Sequence, residues 1–316
     1  MSKSVSKLSV VQSSGPSPLV RLVDDYLADA RARGLSPKTI KYGIGWPLRE
    51  VFLPWCADND ITSVEQLDNR TCNRFSAYLQ EHGGKQGALK PASIWTYSKS
   101  VRRFLAWAAS EGEKVTGDVK LPKLPKVILE TLSAKEINQL EDGAATERDK
   151  LIVRVLADGG MRREELTSIT TKDLLEQGGK TYLLIHGKGR RDRMVPVSPS
   201  VARRLRRYIA ARPKDVDSSQ VFMGLRRRPD GTIQPLTPSG VTQMVSALGE
   251  RVLGKQVHPH EFRHSFITEM RRKRVDPVLV AQLVGHTGLA MIMRVYDHLT
   301  PADAHDELMR ALRADE

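Results

Sequence analysis

The segment between residues 112 and 129 limits the folds open to this chain. It contains glycine, two prolines and scattered lysines, and neither helical nor strand periodicity continues through it. A chain of 316 residues also exceeds one hydrophobic core of ordinary size. We therefore predict two domains, 17–112 and 131–300, joined by a linker over 113–130 and flanked by a flexible tail over 1–16 and a C-terminal helix or tail over 301–316.

The first domain is predicted to be entirely helical. Apolar residues recur at helical spacing from Leu19 to a stop at Gly34, and Ser36 and Pro37 have the residue types of a helix N-cap and first turn. Further helices are predicted over Val64–Glu81 and Ala92–Glu111.

The second domain is predicted to contain one small sheet among helices. Ser133 and Glu136 form a capping-box pattern at its start. Thr181–Ile185 and Met194–Val197 are predicted to be strands, joined by a basic, glycine-containing turn. Helices are predicted over 149–157, 162–169, 199–211, 238–253, 259–273, 277–283, 289–298 and 302–312. The fold class is therefore mainly α with a small antiparallel β-sheet, that is, α+β.

The charge of the chain indicates a polyanionic partner. Lys and Arg total 50 against 37 for Asp and Glu, which gives a net charge of +13. Four basic runs in the second half favour a surface that follows phosphates over isolated solvated helix faces. The runs are Arg190, Arg191 and Arg193; Arg203, Arg204, Arg206 and Arg207; Arg226, Arg227 and Arg228; and Arg271, Arg272, Lys273 and Arg274.

Other classes of protein are disfavoured. Cys56 and Cys72 lie in dissimilar contexts without CxxC spacing, so neither a disulfide framework nor a cysteine zinc site is expected. No apolar run approaches the roughly 20 residues of a membrane span, and the polar start lacks the apolar core of a signal peptide. We expect a soluble, intracellular protein with no membrane partner.

The segment from His260 to His264 has two interpretations. It matches H-E-x-x-H, in which both histidines bind zinc and Glu261 acts as base, although an arginine inside the motif would lie close to the metal. Alternatively, His260 and Arg263 share one helix face. With Arg162 and Lys188 they would form a cationic pocket suited to a phosphodiester transition state.

Tyr296, the last tyrosine of the chain, is the candidate nucleophile. A tyrosine with its free pKa of about 10 is a poor nucleophile, so neighbouring groups must take its proton and stabilise the charge that forms. The cationic residues named above supply such neighbours.

Taken in order, these blocks resemble the tyrosine recombinases, the phage integrase family. Gly160-Met161-Arg162 through Glu165-Leu166 is similar to the block of the first arginine, 259–266 to the H-x-x-R-H block, and 283–286 to the block before the nucleophile. The resemblance covers nearly the whole chain. It implies a helical core-binding domain and a catalytic domain that form a C-shaped clamp on DNA.

The resemblance also implies a role for each site residue. Tyr296 attacks the scissile phosphate and forms a 3′-phosphotyrosine, Lys188 protonates the leaving 5′-oxygen, and His260 helps to remove the tyrosine proton. The chemistry requires no metal, cofactor or ATP. The remaining residues hold the phosphate (Arg162, Arg263 and His286) or support that geometry (Glu165).

The resemblance further implies a homotetramer on double-stranded recombination sites, strand exchange through a Holliday junction, and possible accessory DNA-bending or directionality proteins. It also implies a cytoplasmic, prokaryotic protein associated with the nucleoid. Segment 301–316 is expected to dock on a neighbouring protomer. The residues assigned to DNA contact are Lys38, Lys41, Arg102, Arg103, Arg190, Arg191, Arg226 and Arg227.

One spacing departs from the family pattern, and other functions stay open. Tyr296 lies ten positions after His286, whereas the family usually has about nine. Because one extra residue in a helix rotates all later residues by about 100°, a shifted tyrosine segment is expected. The alternatives are a type IB topoisomerase, a catalytically idle DNA-binding regulator and a zinc peptidase.

Overall fold

The structure, a computed structural model, describes residues 15–82, 89–124, 130–187, 192–212 and 218–285. The chain divides into two compact units, Met1–Val127 and Ile128–Glu316. In the described ranges each unit has a hydrophobic core of its own. The predicted fold class, mainly α with small antiparallel sheets, is confirmed.

In its described residues the first unit has helices and helical turns as its regular secondary structure, and no strand. Its helices are α1 Pro18–Ala32, α2 Leu53–Asp58, α3 Asn69–Glu81 and α4 Pro91–Ser110, with π-helical stretches at Thr39–Gly45 and Pro47–Phe52 and a 3₁₀ turn at Val64–Gln66. The Ser36 hydroxyl accepts the Thr39 amide at 3.2 Å, as an N-cap does. The single helix predicted over Val64–Glu81 is wrong, because Asp68 accepts the Thr71 amide at 2.7 Å and starts a new helix.

Aromatic side chains fill the core of the first unit. Phe52 and Phe75 meet edge to face with ring centroids 5.1 Å apart, and Trp55 packs against Phe75 at the same distance. Cys56 and Cys72 are both free and buried in this core. Burial raises the pKa of the Cys56 thiol to about 12.

Part of the segment predicted as linker packs on the first unit. The Asp118 amide donates to the Asn69 side chain at 3.0 Å, and Val119 is buried in the aromatic core. The predicted domain limits of 17–112 and 131–300 stay predictions.

The second unit combines seven described helices with two small sheets. The helices are α5 Ala134–Gly143, α6 Glu147–Gly159, α7 Arg163–Ser168, α8 Pro199–Ala210, α9 Pro238–Leu253, α10 Pro259–Arg272 and α11 Pro277–Val284. The strands are β1 Leu174–Gln177, β2 Lys180–Ile185, β3 Arg193–Val197, β4 Met223–Arg227 and β5 Ile233–Pro235, and a 3₁₀ turn covers Thr171–Asp173. The capping box at Ser133 and Glu136 is present at the start of α5.

The sheets extend the sequence prediction. Strands β1, β2 and β3 are antiparallel in that order, with Leu183 opposite Val195, and β4 pairs with β5. The expectation of one two-stranded sheet is wrong. Strand β1 was not predicted because it lacks β-branched residues. Strand β4 ends in exposed arginines, whose sequence indicates charge but no strand.

The core of the second unit positions α7, α10 and α11. Helix α10 packs against α6, α7 follows α6 directly, and α11 packs against both α10 and β3. In the described part of the chain, no helix is long and apolar enough to cross a membrane.

Candidate active site

The turn between α6 and α7 positions Arg162 beside α10. Gly160 has φ +54°, and a Cβ there would lie 2.5 Å from the Phe266 ring of α10. Only glycine combines an easily adopted positive φ with the absence of a Cβ. Two residues later, the Arg162 amide donates to Glu165 Oε2 at 2.7 Å and so begins α7.

Glu165 links two arginines. Its carboxylate accepts from Arg162 Nη1 at 2.8 Å and from Arg193 Nη1 and Nη2 at 3.1 and 2.8 Å, in addition to the Arg162 amide. Burial opposes ionisation of Glu165, but the hydrogen bonds from Arg193 and Arg162 outweigh it and lower the pKa of this carboxyl. The group is therefore an anion at neutral pH.

Arg263 is the most deeply buried cation of the site. It is 4% exposed, and its terminal nitrogens donate to the carbonyls of Gly160 at 2.7 Å and Val284 at 2.6 Å. Among the described residues no carboxylate forms a salt bridge with it. Burial, and then the charge of Arg162, lower the pKa of Arg263 to about 9, so the side chain stays charged at neutral pH.

Arg162, Arg193 and Arg263, here called the arginine cluster, converge on the C-terminal end of α11. Arg193 Nε donates to the Leu283 carbonyl at 2.6 Å, Arg263 to the next carbonyl, and Arg162 Nη2 to that of Gly285 at 3.4 Å. Carbonyls at a helix C-terminus carry partial negative charge and attract cations. The predicted site residues Arg162, Glu165 and Arg263 are thus brought together one position before His286.

His260 lies on the exposed side of α10, one turn before Arg263. Partial desolvation lowers the pKa of its imidazole, and the charges of Arg163, Arg263 and Arg162 lower it further, against the opposite effect of Glu164. The ring is therefore neutral at pH 7 and able to accept a proton.

Glu261 has a structural position that does not suit a peptidase base. It is 6% exposed, and its Oε1 accepts the His258 amide at 2.7 Å, which begins α10. Its carboxylate is therefore committed to the helix N-terminus. Within the described ranges no three His, Cys, Asp or Glu side chains are placed to hold a metal ion.

Several predicted residues lie outside the described residues. These are Lys188, Arg190, Arg191, His286 and Tyr296. The other predicted DNA contacts, Lys38, Lys41, Arg102, Arg103, Arg226 and Arg227, are exposed. Among them, Arg102 forms a salt bridge with Asp118 at 3.0 Å, and Arg227 donates to the Gly231 carbonyl at 2.7 Å.

Sequence reasoning missed the third member of the arginine cluster. The sequence groups Arg193 with Arg190 and Arg191 as a surface run, but its side chain is only 9% exposed. Strand alternation carried the signal: Arg193 shares a strand face with the buried Val195, whereas Met194 and Pro196 on the other face are exposed.

The second unit is also recognised by comparison with known proteins. The sequence model of the Phage integrase family matches residues 130–303. The chain belongs to the phage integrase family and is a site-specific tyrosine recombinase, an enzyme that breaks and rejoins DNA strands.

Individual relatives agree with this family. The chain is 32% identical to the tyrosine recombinase XerA of Pyrococcus horikoshii over 203 residues, which are 64% of this chain and 67% of that protein. It is 30% identical to XerC of Lactobacillus delbrueckii subsp. bulgaricus over 281 residues, or 85% and 90% of the two chains. The fold is similar to that of the XerH site-specific recombinase bound to difH substrate, with a TM-score of 0.68 at 20% identity, covering 90% of this chain and 83% of that one.

Proposed function

We propose that this recombinase cuts double-stranded DNA with Tyr296 and holds the scissile phosphate with Arg162 and Arg263. The observation that carries the proposal is the unbalanced charge of the arginine cluster, in which, among the residues that the structure describes, three guanidiniums share one carboxylate, Glu165. A buried surplus cation is unfavourable until an anion joins it. A phosphodiester under attack is such an anion, because charge accumulates on its non-bridging oxygens.

The proposed reaction conserves the energy of the phosphodiester bond. The Tyr296 oxygen attacks phosphorus, the bond to the 5′-oxygen breaks, and a 3′-phosphotyrosine forms. Lys188 gives a proton to the 5′-oxygen and His260 takes one from the tyrosine. The reverse reaction with a second strand then needs neither ATP nor a metal. The assignments of Lys188 and Tyr296 rest on the sequence blocks, since both residues lie outside the described residues.

Two supporting roles complete the proposed site. His286 donates a hydrogen bond to the phosphate, an assignment that also rests on sequence because the residue is not described. Glu165 fixes the Arg162 guanidinium, to which it is already bound at 2.8 Å.

The proposed substrate is a pair of DNA recombination sites held by a homotetramer that passes through a Holliday junction. The net charge of +13 and the exposed Lys38 and Lys41 support DNA as partner. XerH, whose fold is similar, is bound to difH substrate in its crystal structure. Closure of the two units around DNA as a clamp, accessory DNA-bending proteins and nucleoid association stay predictions.

The proposed function can be tested before the target DNA sequence is identified. Covalent adducts are recovered from a pool of nicked suicide duplexes with a randomised core, and two copies of the selected sequence are placed in a plasmid. We expect recombinant plasmid in EDTA and without ATP. Relaxed plasmid without recombinants would instead indicate a topoisomerase, and site binding without any adduct would indicate a regulator.

The proposed exchange of segment 301–316 between protomers has a separate test. Deletion of 301–316 should leave binding of one protomer to a half-site unchanged but reduce assembly on a full site. Unchanged assembly and recombination would contradict the exchange.

A further inference from the structure

Arg193 has the contacts of a functional side chain, although none of the sequence blocks gave it a functional role. It lies at the start of β3, its side chain is 9% exposed, and it bonds to the Glu165 carboxylate and to the Leu283 carbonyl of α11. We propose that Arg193 is a positioning residue for DNA cleavage, which keeps Glu165 and the end of α11 where Arg162 requires them. The inference rests on the proposed role of Arg162 as a phosphate ligand.

Glu165 divides its hydrogen bonds between Arg162 and Arg193. Arg193 supplies two of the N–H donors to this carboxylate, so Arg162 gives only Nη1 and its amide. The Arg162 side chain remains 38% exposed. Its Nη2 makes only a long hydrogen bond, of 3.4 Å, to the Gly285 carbonyl. Without Arg193, a buried carboxylate would compete for the whole Arg162 fork, because bidentate pairing is the favoured geometry. Arg193 thereby leaves donors of Arg162 available for a phosphate.

Arg193 also holds the backbone at the end of α11. Arg193 Nε holds the Leu283 carbonyl at 2.6 Å. Gly285 has φ +66°, and a Cβ there would lie 2.9 Å from Arg193 Nη1. Glycine is required both for the backbone conformation and for the close approach of the guanidinium. Arg193 therefore fixes where the chain leaves α11, one residue before His286.

The buried ion pair of Arg148 and Asp149 lies outside the arginine cluster and can be compared with Arg193. The Arg148 side chain is similarly buried, at 8% exposed, and also combines a carboxylate with a carbonyl. Its Nε and Nη2 donate to Asp149 at 2.8 and 2.6 Å, and its Nη1 donates to the Met223 carbonyl at 2.9 Å. It touches no residue of the arginine cluster in these contacts. Arg148 thus provides a matched control for burial, charge and bonding.

The experiment compares Arg193→Met and Arg193→Lys with Arg148→Met. The probe is a nicked suicide duplex carrying the selected site, and the measurements are the single-turnover rate of adduct formation, the affinity for the same duplex and thermal unfolding. We expect both Arg193 variants to form the adduct about a hundredfold more slowly, since small displacements of reacting groups have effects of that size. Affinity should change by less than about threefold, because the proposed role of Arg193 acts through Glu165 and α11 and includes no direct contact with DNA. Lysine should restore thermal stability but not the rate, since it lacks the planar fork.

The control should behave differently. Arg148→Met should lower thermal stability, whereas its rate of adduct formation, corrected for the folded fraction, should equal that of the wild type. A double variant, Arg193→Met with Glu165→Gln, should be no slower than the slower single variant, because the two residues act through one contact.

The outcomes distinguish the two proposals. If Arg193→Met or Arg193→Lys cleaves at the wild-type rate per folded molecule, the positioning role is wrong while the proposed function stands. If the wild type forms no adduct on any duplex of the pool, the proposed function fails and the positioning role fails with it.

Discussion

The described part of the second unit contains two buried arginine centres that differ in their balance of charge. In the paired centre, Arg148 and Asp149 are 7% and 9% exposed and neutralise each other. In the arginine cluster, the three guanidiniums share one carboxylate of the described residues, that of Glu165, and carbonyls at the end of α11 supply further partial negative charge. The paired centre is complete in itself, whereas the arginine cluster retains excess positive charge.

The difference shows how a site for an anion can be distinguished from a structural ion pair. Buried charge is unfavourable unless it is paired, so a centre that serves only stability should be balanced. Burial strongly lowers the pKa of Arg263 in the arginine cluster. The fold tolerates this centre, we infer, because the scissile phosphate completes it.

Removal of Arg263 should have the largest effect on catalysis. We expect Arg263→Met to slow adduct formation by about a thousandfold or more, since loss of one group that stabilises transition-state charge has that scale. It should destabilise the fold by only about 1–2 kcal/mol, because removing a buried charge that has no carboxylate partner among the described residues offsets part of the two charge-assisted hydrogen bonds that are lost. Arg148→Met should cost about 3–5 kcal/mol, because it leaves Asp149 buried and unpaired. Denaturant unfolding and single-turnover cleavage measure both effects, and equal destabilisation by the two variants would contradict the comparison.

The excess charge should also be visible in the pH dependence of cleavage. Because desolvation and the neighbouring arginines lower the pKa of His260 below 6.5, its basic form persists above that lowered pKa and is lost as the pH falls through it. We expect cleavage to decrease on acidification with a midpoint below 6.5, over a range of about a hundredfold.

A His260→Gln variant provides the control for this pH dependence. It should be slow at all pH values and lack the acidic decrease. A midpoint above 6.5 in the wild type, or the same decrease in the variant, would show that another group titrates.

Neutralising the shared carboxylate should have an intermediate effect on catalysis. Glu165→Gln keeps the shape of the side chain but loses the charge that organises Arg162 and Arg193. We expect cleavage to slow by about ten- to a hundredfold, as for other residues that orient a direct ligand. The matched variant of the paired centre, Asp149→Asn, should destabilise the fold and leave the rate per folded molecule unchanged. If Asp149→Asn slowed cleavage equally, the distinction between the two centres would be lost.

The smallest expected effect concerns the glycine that brings α6 and α10 together. Gly160 and Gly254 end α6 and α9 with φ +54° and +66°, but only at Gly160 would a Cβ meet a side chain. Gly254→Ala should destabilise the fold by about 1 kcal/mol through backbone strain alone, and Gly160→Ala by up to about 3 kcal/mol through strain plus the contact with Phe266. Only Gly160→Ala should slow cleavage, because the Gly160 carbonyl holds Arg263. Equal unfolding midpoints for the two variants would contradict this account.

The fold could be predicted where the pattern was local. Helical spacing and capping residues located α1, α4, α5, α9 and α10 closely, because an amphipathic helix carries its signal in every turn. The break at Asp68 and strands β1, β4 and β5 were missed. A single capping hydrogen bond decides the former, and strands this short depend on pairing partners rather than on their own residues.

The site could be predicted in part for a related reason. Sequence blocks identified Arg162, Glu165, His260 and Arg263 as candidates, and the structure brings Arg162, Glu165 and Arg263 together. Arg193 was missed, because an arginine next to other arginines suggests a solvated surface. Strand alternation places Arg193 on the inner face of β3, but only the three-dimensional proximity of β3 and α11 shows which groups it contacts there.

The most direct test of the account is the identity of the residue that becomes linked to DNA. The wild type is trapped on the selected nicked duplex, digested with a protease, and the adduct-bearing peptide is identified by mass spectrometry. We predict a 3′-phosphotyrosine at Tyr296, and in Tyr296→Phe unchanged affinity for the same duplex with no adduct. An adduct of undiminished yield in Tyr296→Phe would contradict the central claim that the arginine cluster presents a phosphate to this tyrosine.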